Sequence, residues 1–319
     1  MPVTHPCAAV IATRHRPRPL HRTLASTLKQ RHLPSHILIV DGSDENRFDT
    51  AAVVEEFRPA FATAKVKLTH KFATKRGAAS QRNEGVAVAA PSHPFILFLD
   101  DDILLESDCL ACLFTAVQSD TKIGAVSTMI TNQKFERPGW LGRFVGRLVS
   151  GTSCRRIQRA GRYLAPGLTM QPSDDPSLPE LVPVEWLSTT CTLYRTTALP
   201  SPPFPDFFHG GSFAEDFALS QLFRRNWKLG NARTARIFHD SQPGDHKHNA
   251  KAIGAETAAN WLRIMHHVTH ETRRRDRVRL ALVLAYRAFG NAFGPAGLRS
   301  LIPTLTGYCQ GWRDATARP

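Results

Sequence analysis

The chain has 319 residues, of which 42% are hydrophobic, so it can bury one large core and its composition excludes disorder as the default. Its 41 Lys and Arg residues outnumber its 27 Asp and Glu residues, and the formal charge of +14 favours phosphorylated small molecules, nucleic acid or an anionic membrane surface as partners. No apolar run approaches the roughly 20 residues that cross a bilayer, which favours a soluble or surface-bound protein.

The first half of the chain alternates strand-like and helix-like segments. Apolar runs at 7–14 and 35–44 end in polar turns, and between them Leu20, Leu24 and Leu28 recur every four residues, as on one face of a helix. Further strands are predicted at 64–70, 95–100 and 124–130, with helices at 77–90 and 108–118. This alternation predicts an α/β protein with a mostly parallel sheet and helices on both faces.

The second half is less regular. From Gln133 to Pro183 the pattern dissolves into Gly, Pro, Ser and Arg, which predicts a functional loop or a lid. Order returns at 183–195, in a helix at 213–226 and in a last strand at 235–240. Beyond Asp240 the chain is helical and basic, so we predict a main domain at 1–240 and a basic helical extension at 241–319.

Six cysteines are scattered along the sequence, and the N-terminus lacks the pattern of a secretory leader. We therefore expect a reducing compartment and a cytoplasmic location. Cys109 and Cys112 form a lone CxxC, but no second pair accompanies it and both lie in an apolar helical pattern. We interpret them as packing residues.

Three consecutive carboxylates, Asp100 to Asp102, directly follow a run that predicts a buried strand. They could be solvated turn residues that cap the next helix, or they could bind a hard cation such as Mg²⁺ or Mn²⁺. Adjacent carboxylates raise one another's pKa unless a cation neutralises them, which favours the metal site. Ligands of such sheets bind outside the carboxyl ends of the strands, where Asp41 also falls.

Seven stretches of the sequence, taken in their order along the chain, indicate a protein family more specifically than any one stretch does. They are VIATRHRPRPLHRTLASTLKQ, ILIVDGSDE, KRGAASQRNEGVAVA, FILFLDDDI, EWLSTTCTLYRTTAL, FAEDFALSQLFRRNWKLG and ARIFHD. Together, over roughly Val10 to Asp240, they resemble the family 2 glycosyltransferases of the GT-A fold. The resemblance implies a GT-A-type, Rossmann-like sheet and makes residues 1–240 the catalytic domain.

The resemblance also implies an activity: inverting transfer of a sugar from a nucleoside-diphosphate sugar, assisted by Mg²⁺ or Mn²⁺. The implied metal ligands are Asp100, Asp102 and His239, although a lone histidine at a strand end is often structural. Asp216 matches the family's catalytic base, with Glu215 beside it. The alternative is that both carboxylates only favour the positive end of a helix.

Further site residues follow from the same resemblance. Arg82 and Asn83 are adjacent and do not share a helix face, so we expect one of them to be structural and prefer Asn83, together with Arg76, as the ligand contact. Arg14 could equally be a solvated residue. The implied nucleotide-sugar contacts are Thr13, Arg14, Asp41, Arg76, Asn83, Asp100 and Asp101. The implied acceptor contacts are Trp186, Ser188 and Thr189.

The expected acceptor is a glycan, a lipid-linked glycan or another hydroxyl compound, in cell-envelope or exopolysaccharide synthesis. Five arginines at 273–279 form either a solvated face or a helix that attaches to the anionic inner face of the cytoplasmic membrane. A nucleotidyltransferase would want a Gly-rich loop after the first strand, which the sequence lacks. A nucleic-acid-binding protein would explain the charge but not the acidic strand end, so we expect no nucleic-acid partner.

Overall fold

The computed structural model describes residues 2–44, 46–150, 160–241, 249–293 and 297–317. Its first elements are β1 (Val3–Thr13), α1 (Pro17–Leu28), β2 (His32–Asp41), α2 (Asp49–Thr63), β3 (Lys67–Phe72), α3 (Ala78–Ala89) and β4 (Phe95–Asp100). The predicted alternation of strands and helices is confirmed here. Helix α2 is absent from the sequence prediction, and it contains a proline, Pro59, in its interior.

The remaining elements complete the sheet and add three C-terminal helices. They are β5 (Ile103–Leu105), α4 (Cys109–Gln118), β6 (Ile123–Ile130), α5 (Trp140–Ser150), β7 (Tyr163–Ala165), β8 (Leu168–Thr169), β9 (Leu181–Pro183), β10 (Cys191–Arg195), α6 (Glu215–Phe223), β11 (Lys228–His239), α7 (Ala250–His267), α8 (Arg274–Ala292) and α9 (Leu301–Ala317).

The segment at 133–183 is more regular than its composition indicated. It contains α5 and the short strands β7 to β9, while residues 151–159 lie outside the described part of the chain. Gly146 is on the buried side of α5 and Gly142 faces a neighbouring helix, so glycines that are typical of loops here allow close packing. A lid function for this segment stays a prediction.

Nine strands form the central sheet, in the order β3-β2-β1-β4-β10-β6-β11-β5, with β9 also paired to β11. Strands β3, β2, β1 and β4 are parallel, and β10 runs antiparallel between β4 and β6. Strand β11 is parallel to β6 and antiparallel to β5 and β9. Six strands therefore run in one direction, which confirms a mostly parallel sheet.

Apolar residues on both faces of the sheet are buried. In β1, Val10 belongs to one core cluster, whereas Ala9 and Ile11 belong to the other, because successive side chains of a strand point to opposite faces. Helices α1, α2 and α4 cover the second cluster, and α3, α6 and α7 cover the first. Cys109 lies in the second cluster and is buried, in agreement with a packing role.

The C-terminal helices share the core of the sheet. Trp261 of α7 and Leu280 of α8 belong to the same buried cluster as Val10 and Phe98 of the sheet. Helices α7 and α9 touch backbone to backbone, since a Cβ on Gly307 would lie 2.1 Å from a carbonyl oxygen of α7. Among the described helices, none has the length and hydropathy needed to cross a bilayer.

Candidate functional site

The carboxyl ends of the six parallel strands meet at one edge of the sheet, and the predicted site residues collect there. Asp41 ends β2, and Asp100 ends β4. His239 ends β11, where the antiparallel strand β5 pairs it with Ile103. This register brings Asp102 next to His239, although the two are 137 residues apart in the sequence. Strand pairing, rather than local sequence, thus assembles this edge.

Asp100, Asp102 and His239 form a candidate metal site. One ligand atom from each residue lies within 4.8 Å of the other two, and the described residues contain no other such group of three His, Cys, Asp or Glu side chains. The His239 ring is held at both nitrogens: Nδ1 is 2.8 Å from Nε2 of Gln133, and Nε2 is 3.1 Å from Oδ1 of Asp102. Two carboxylates and one imidazole form a donor set that fits Mn²⁺ and Mg²⁺.

Two arginines neutralise part of this acidic cluster. Arg16 Nη1 donates to Asp101 Oδ1 at 2.7 Å and to Asp102 Oδ2 at 3.0 Å, and the hydroxyl of Thr13 donates to the other Asp101 oxygen at 2.6 Å. Burial raises the pKa of Asp101 to about 6, although Arg16 opposes this shift. The sequence argument assumed that a metal cation neutralises these carboxylates. The structure shows that Arg16 supplies part of the positive charge.

Arg82 connects the acidic strand end to helix α6. Its Nη2 donates to Asp100 Oδ1 at 2.6 Å and its Nη1 donates to Glu215 Oε1 at 2.8 Å. The arginine is only 5% exposed, and its Nε has no partner among the described residues. One guanidinium thus joins the candidate metal site to the candidate catalytic helix and keeps one donor for a ligand or water.

Helix α6 begins after a strained turn. Ser212 and Ala214 have φ values of 54° and 69°, in the left-handed region that residues with a Cβ rarely adopt. Such strain persists only where surrounding contacts hold it. The turn is followed at once by Glu215 and Asp216, so its conformation sets the direction of both carboxylates.

The Glu256 carboxylate of α7 lies against this turn, since its Oε2 would be 3.4 Å from a Cβ on Gly210 and 3.6 Å from a Cβ on Gly211. The backbone N–H groups of Gly211, Ser212 and Phe213 favour its charged form, but burial outweighs them and raises the pKa of Glu256. Its Oε1 is buried without a hydrogen-bond partner among the described residues. The hydroxyl of Ser212 in turn accepts from the backbone N–H of Ala79 at 3.3 Å. Helix α7 thus contacts the turn that precedes Glu215 and Asp216.

The two carboxylates of α6 differ in their partners. Glu215 is bound to Arg82, whereas Asp216 Oδ1 accepts from the backbone N–H of Phe217 at 2.7 Å and Oδ2 has no hydrogen-bond partner in the described part. Burial, together with the neighbouring Asp216 carboxylate, raises the pKa of Glu215 above its ordinary range. Burial also raises the pKa of Asp216, to about 6. Asp216 can therefore be ionised and accept a proton near neutral pH.

Asp41 lies on the other side of β1, in a buried polar setting. Its oxygens accept from the Ser43 backbone N–H at 2.9 Å and contact the His70 ring at 3.1 Å. Burial alone would raise its pKa, but these hydrogen bonds outweigh it and lower the pKa. The amide of Gln81 donates to the carbonyls of Thr13 and Val40 and so ties the ends of β1 and β2 together.

A protein-family comparison decides what kind of enzyme this site belongs to. The family model described as "Glycosyltransferase like family 2" matches residues 5–226, which is more than half of the chain. The chain belongs to this glycosyltransferase family. The comparison with curated proteins gives no match.

Solved structures of glycosyltransferases share the fold. S. aureus TarS 1-349 is 17% identical and matches 96% of this chain and 80% of its own, with a TM-score of 0.54. The mannosyltransferase PcManGT from Pyrobaculum calidifontis, solved with GDP-Man and Mn²⁺, is 14% identical over 98% of this chain and 85% of its own, with a TM-score of 0.54. The structure of TarS 1-349 with UDP-GlcNAc is 15% identical, matches 98% of this chain and 91% of its own, and has a TM-score of 0.52. These similarities confirm the predicted GT-A-type fold.

Four of the predicted donor contacts in this glycosyltransferase have other partners or none. Arg14 is exposed, and Arg76 is an exposed residue that pairs with Asp44 at 2.5 Å. Asn83 exchanges two hydrogen bonds with the backbone of Phe204, so its amide clamps a loop. Both oxygens of Asp101 are taken up by Thr13 and Arg16. Thr13, Asp41 and Asp100 also have partners within the protein, so all seven donor contacts stay predictions.

The predicted acceptor segment lies beside the acidic strand end of the glycosyltransferase. The Thr190 carbonyl accepts from the Asp100 backbone N–H at 2.8 Å, and the hydroxyls of Ser188 and Thr190 are 2.7 Å apart. Trp186 and Thr189 are buried, and the indole of Trp186 donates to the Met170 carbonyl at 2.9 Å. Ser188 is thus the most accessible of the three predicted acceptor residues.

The sequence reasoning missed several residues that build this site. The sequence predicts Arg14 as a contact, whereas the structure places Arg16 on the carboxylates. The string TRHR does not distinguish the two arginines, because their directions depend on the positive φ of His15 between them. Arg82 was set aside as structural, although it joins the two halves of the site. Gln133 and Glu256 reach the site from distant elements, and no local motif marks them.

Proposed function

We propose that this glycosyltransferase moves a sugar from a nucleoside-diphosphate sugar to an acceptor hydroxyl with inversion at the anomeric carbon. The observation that carries the proposal is the Arg82 bridge, which joins the Asp100, Asp102 and His239 cluster to the start of α6. Charge stabilisation for a departing diphosphate and a base for the attacking hydroxyl are thereby held at one strand edge.

On the donor side, Thr13 and Asp41 lie at the ends of β1 and β2. We assign the nucleotide to this side, because Asp41 is ionised in its buried setting and can accept hydrogen bonds from a ribose or a base. The relatives TarS and PcManGT have been solved with UDP-GlcNAc and with GDP-Man, respectively, which supports a nucleotide sugar as donor.

Asp100, Asp102 and His239 are the residues that would hold a divalent cation. When bound, such an ion neutralises negative charge on the leaving diphosphate. The convergence of these three side chains supports a cation, and the Mn²⁺ of PcManGT makes Mn²⁺ the first candidate.

Asp216 is the proposed general base. One of its oxygens is fixed by the Phe217 backbone N–H, and the other is available for the proton of the acceptor hydroxyl. Glu215 is held by Arg82 and therefore orients the helix start. The acceptor approaches along the segment that contains Ser188, and we propose a glycan or a lipid-linked glycan in cell-envelope or exopolysaccharide synthesis.

The proposal is tested by thermal unfolding with Mn²⁺ and a panel of nucleotide sugars. A ligand at a hundred times its dissociation constant adds about 2.7 kcal/mol of stability, so the correct donor should raise the unfolding temperature clearly. The anomeric configuration of the transfer product, measured by NMR, should be opposite to that of the donor.

Two variants and a control sharpen the test. Asp102→Asn should abolish the donor shift that requires Mn²⁺, and Asp216→Asn should retain donor binding but lose transfer. Asp120→Asn, which alters an exposed pair with Lys228, should behave like the parent protein. Donor shifts that are equal with Mn²⁺ and with a chelator would refute the metal role, and a product of retained configuration would refute inversion.

A further inference from the structure

Large exposed apolar side chains are concentrated on one part of the surface. Fourteen occur among the described residues, and ten of them lie within 140–148 or 278–302. Contiguous apolar surface on a protein marks a binding site for a partner or a membrane more often than chance exposure does. These side chains come from α5, from α8 and the residue that follows it, and from 298–302 at the start of α9, none of which contributes to the edge of the sheet described above.

Helix α5 exposes an apolar face and buries only a narrow stripe of small apolar residues. Trp140, Phe144 and Leu148 recur at a spacing of four and are 75%, 59% and 57% exposed. On the other side, Val149 packs against Val283 of α8. The helix is therefore anchored to the protein while its larger side chains face outward.

Helix α8 continues the apolar surface of α5. Val278, Leu282, Phe289 and Phe293 are all exposed and, at 100° per residue, fall within about 60° of one another around the helix. Tyr286 belongs to this stripe by its spacing, and a Cβ on Gly142 of α5 would lie 2.9 Å from its hydroxyl. The two helices thus present neighbouring apolar stripes, which we call the α5/α8 face.

The exposed charges of the two helices that form the α5/α8 face have one sign. The sequence contains no Asp or Glu from 137 to 173 or from 277 to 313, and Asp276, the one carboxylate of α8, is buried and pairs with Arg279 at 3.3 Å. Arg147 and Arg299 are exposed in these segments, and Arg275 is 62% exposed at the start of α8. Apolar side chains flanked by arginines, without exposed carboxylates, complement an anionic lipid surface. A second copy of the chain is disfavoured, because two such faces would bring like charges together.

We propose that the α5/α8 face binds an anionic membrane surface, with Trp140, Phe144 and Phe293 entering the headgroup region and the arginines contacting lipid phosphates. The inference goes beyond the proposed transferase activity and does not depend on it. It also differs from attachment by the basic segment at 273–279 alone, since it makes the apolar side chains of α5 essential. Helix α5 begins seven residues after Gln133, which contacts His239, so the loop between them links this face to the active site.

The test is sedimentation of the full chain with two kinds of vesicle, one of phosphatidylcholine and one that also contains phosphatidylglycerol. We expect binding to the anionic vesicles to be at least about tenfold tighter than to the neutral ones. The double variant Trp140→Ser and Phe144→Ser should lose about tenfold or more of this binding, as should the double variant Arg147→Gln and Arg299→Gln.

Phe48→Ser is the matched control, since Phe48 is 66% exposed outside the α5/α8 face, and it should bind like the parent protein. All of these side chains are exposed, so far-ultraviolet circular dichroism should be unchanged in every variant. Equal binding by the Trp140 and Phe144 variant and the parent would overturn the proposal. So would a concentration-dependent dimer in analytical ultracentrifugation that this variant abolishes, because the face would then be a protein interface.

Discussion

Replacing Arg82 by methionine tests the bridge between the two halves of the site. Arg82 is 5% exposed, and its removal leaves the Glu215 and Asp100 carboxylates, whose side chains are 12% and 23% exposed, without their shared cation. Loss of one partner from a buried ion pair costs about 3–5 kcal/mol. A domain of ordinary stability has about 5–15 kcal/mol in total, so the variant should remain folded but be strongly destabilised.

The size of this loss should depend on pH. Burial raises the pKa of Glu215, so the native state binds its proton at pH values where the unfolded chain has released it, and stability falls as pH rises through this window. Because Arg82 lowers the pKa of Glu215, Arg82→Met should raise it further. The variant should therefore lose more stability at about pH 8 than at about pH 5.5.

Urea denaturation followed by circular dichroism measures both effects. The matched control is Arg76→Met, which breaks an exposed pair between Arg76 and Asp44, with side chains 52% and 49% exposed. Such a pair contributes only about 0–1 kcal/mol. A loss for Arg82→Met no larger than that of the control, or one that is the same at both pH values, would refute the reasoning.

Three further predictions concern catalysis and packing. Asp216→Asn should lower turnover about a hundred- to ten-thousandfold without lowering the urea midpoint, because burial disfavours the Asp216 carboxylate. The parent's kcat/KM should fall as pH drops below about 6, where Asp216 becomes protonated, and a flat profile would argue against Asp216 as the base. Gly85→Ala should destabilise the protein by about 1–3 kcal/mol, because the new Cβ would lie 2.3 Å from Val10 Cγ1. Gly290→Ala meets no atom within 4 Å and should stabilise the protein by up to about 1 kcal/mol. Urea midpoints of the two variants that shift in the same direction would contradict this. Glu256→Gln should lower kcat more than it raises the donor KM, since the backbone N–H groups of the turn before α6 lose the negative charge beside them. Steady-state kinetics that match the parent would exclude this positioning role.

The sequence by itself determined the alternation of strands and helices that builds the parallel part of the sheet. Apolar runs of strand length, with helical spacing of apolar residues between them, are local signals, because a strand or helix places its side chains at fixed intervals whatever surrounds it. The strand-end carboxylates Asp41 and Asp100 could be predicted for the same reason, since a parallel sheet brings such ends to one edge. The ordered motifs added Asp216 and His239 as candidates.

Only the tertiary structure decided which charged residues meet. Arg16 and Arg14, or Arg82 and Asn83, look equivalent in the sequence, but a positive φ at His15 and the packing of α3 on β1 turn one member of each pair toward the carboxylates. Glu256 reaches the turn before α6 from a helix that follows the last strand. The α5/α8 face likewise depends on which sides of two distant helices pack together. Ion pairs and exposed faces are set by three-dimensional neighbours, and these have no fixed spacing along the chain.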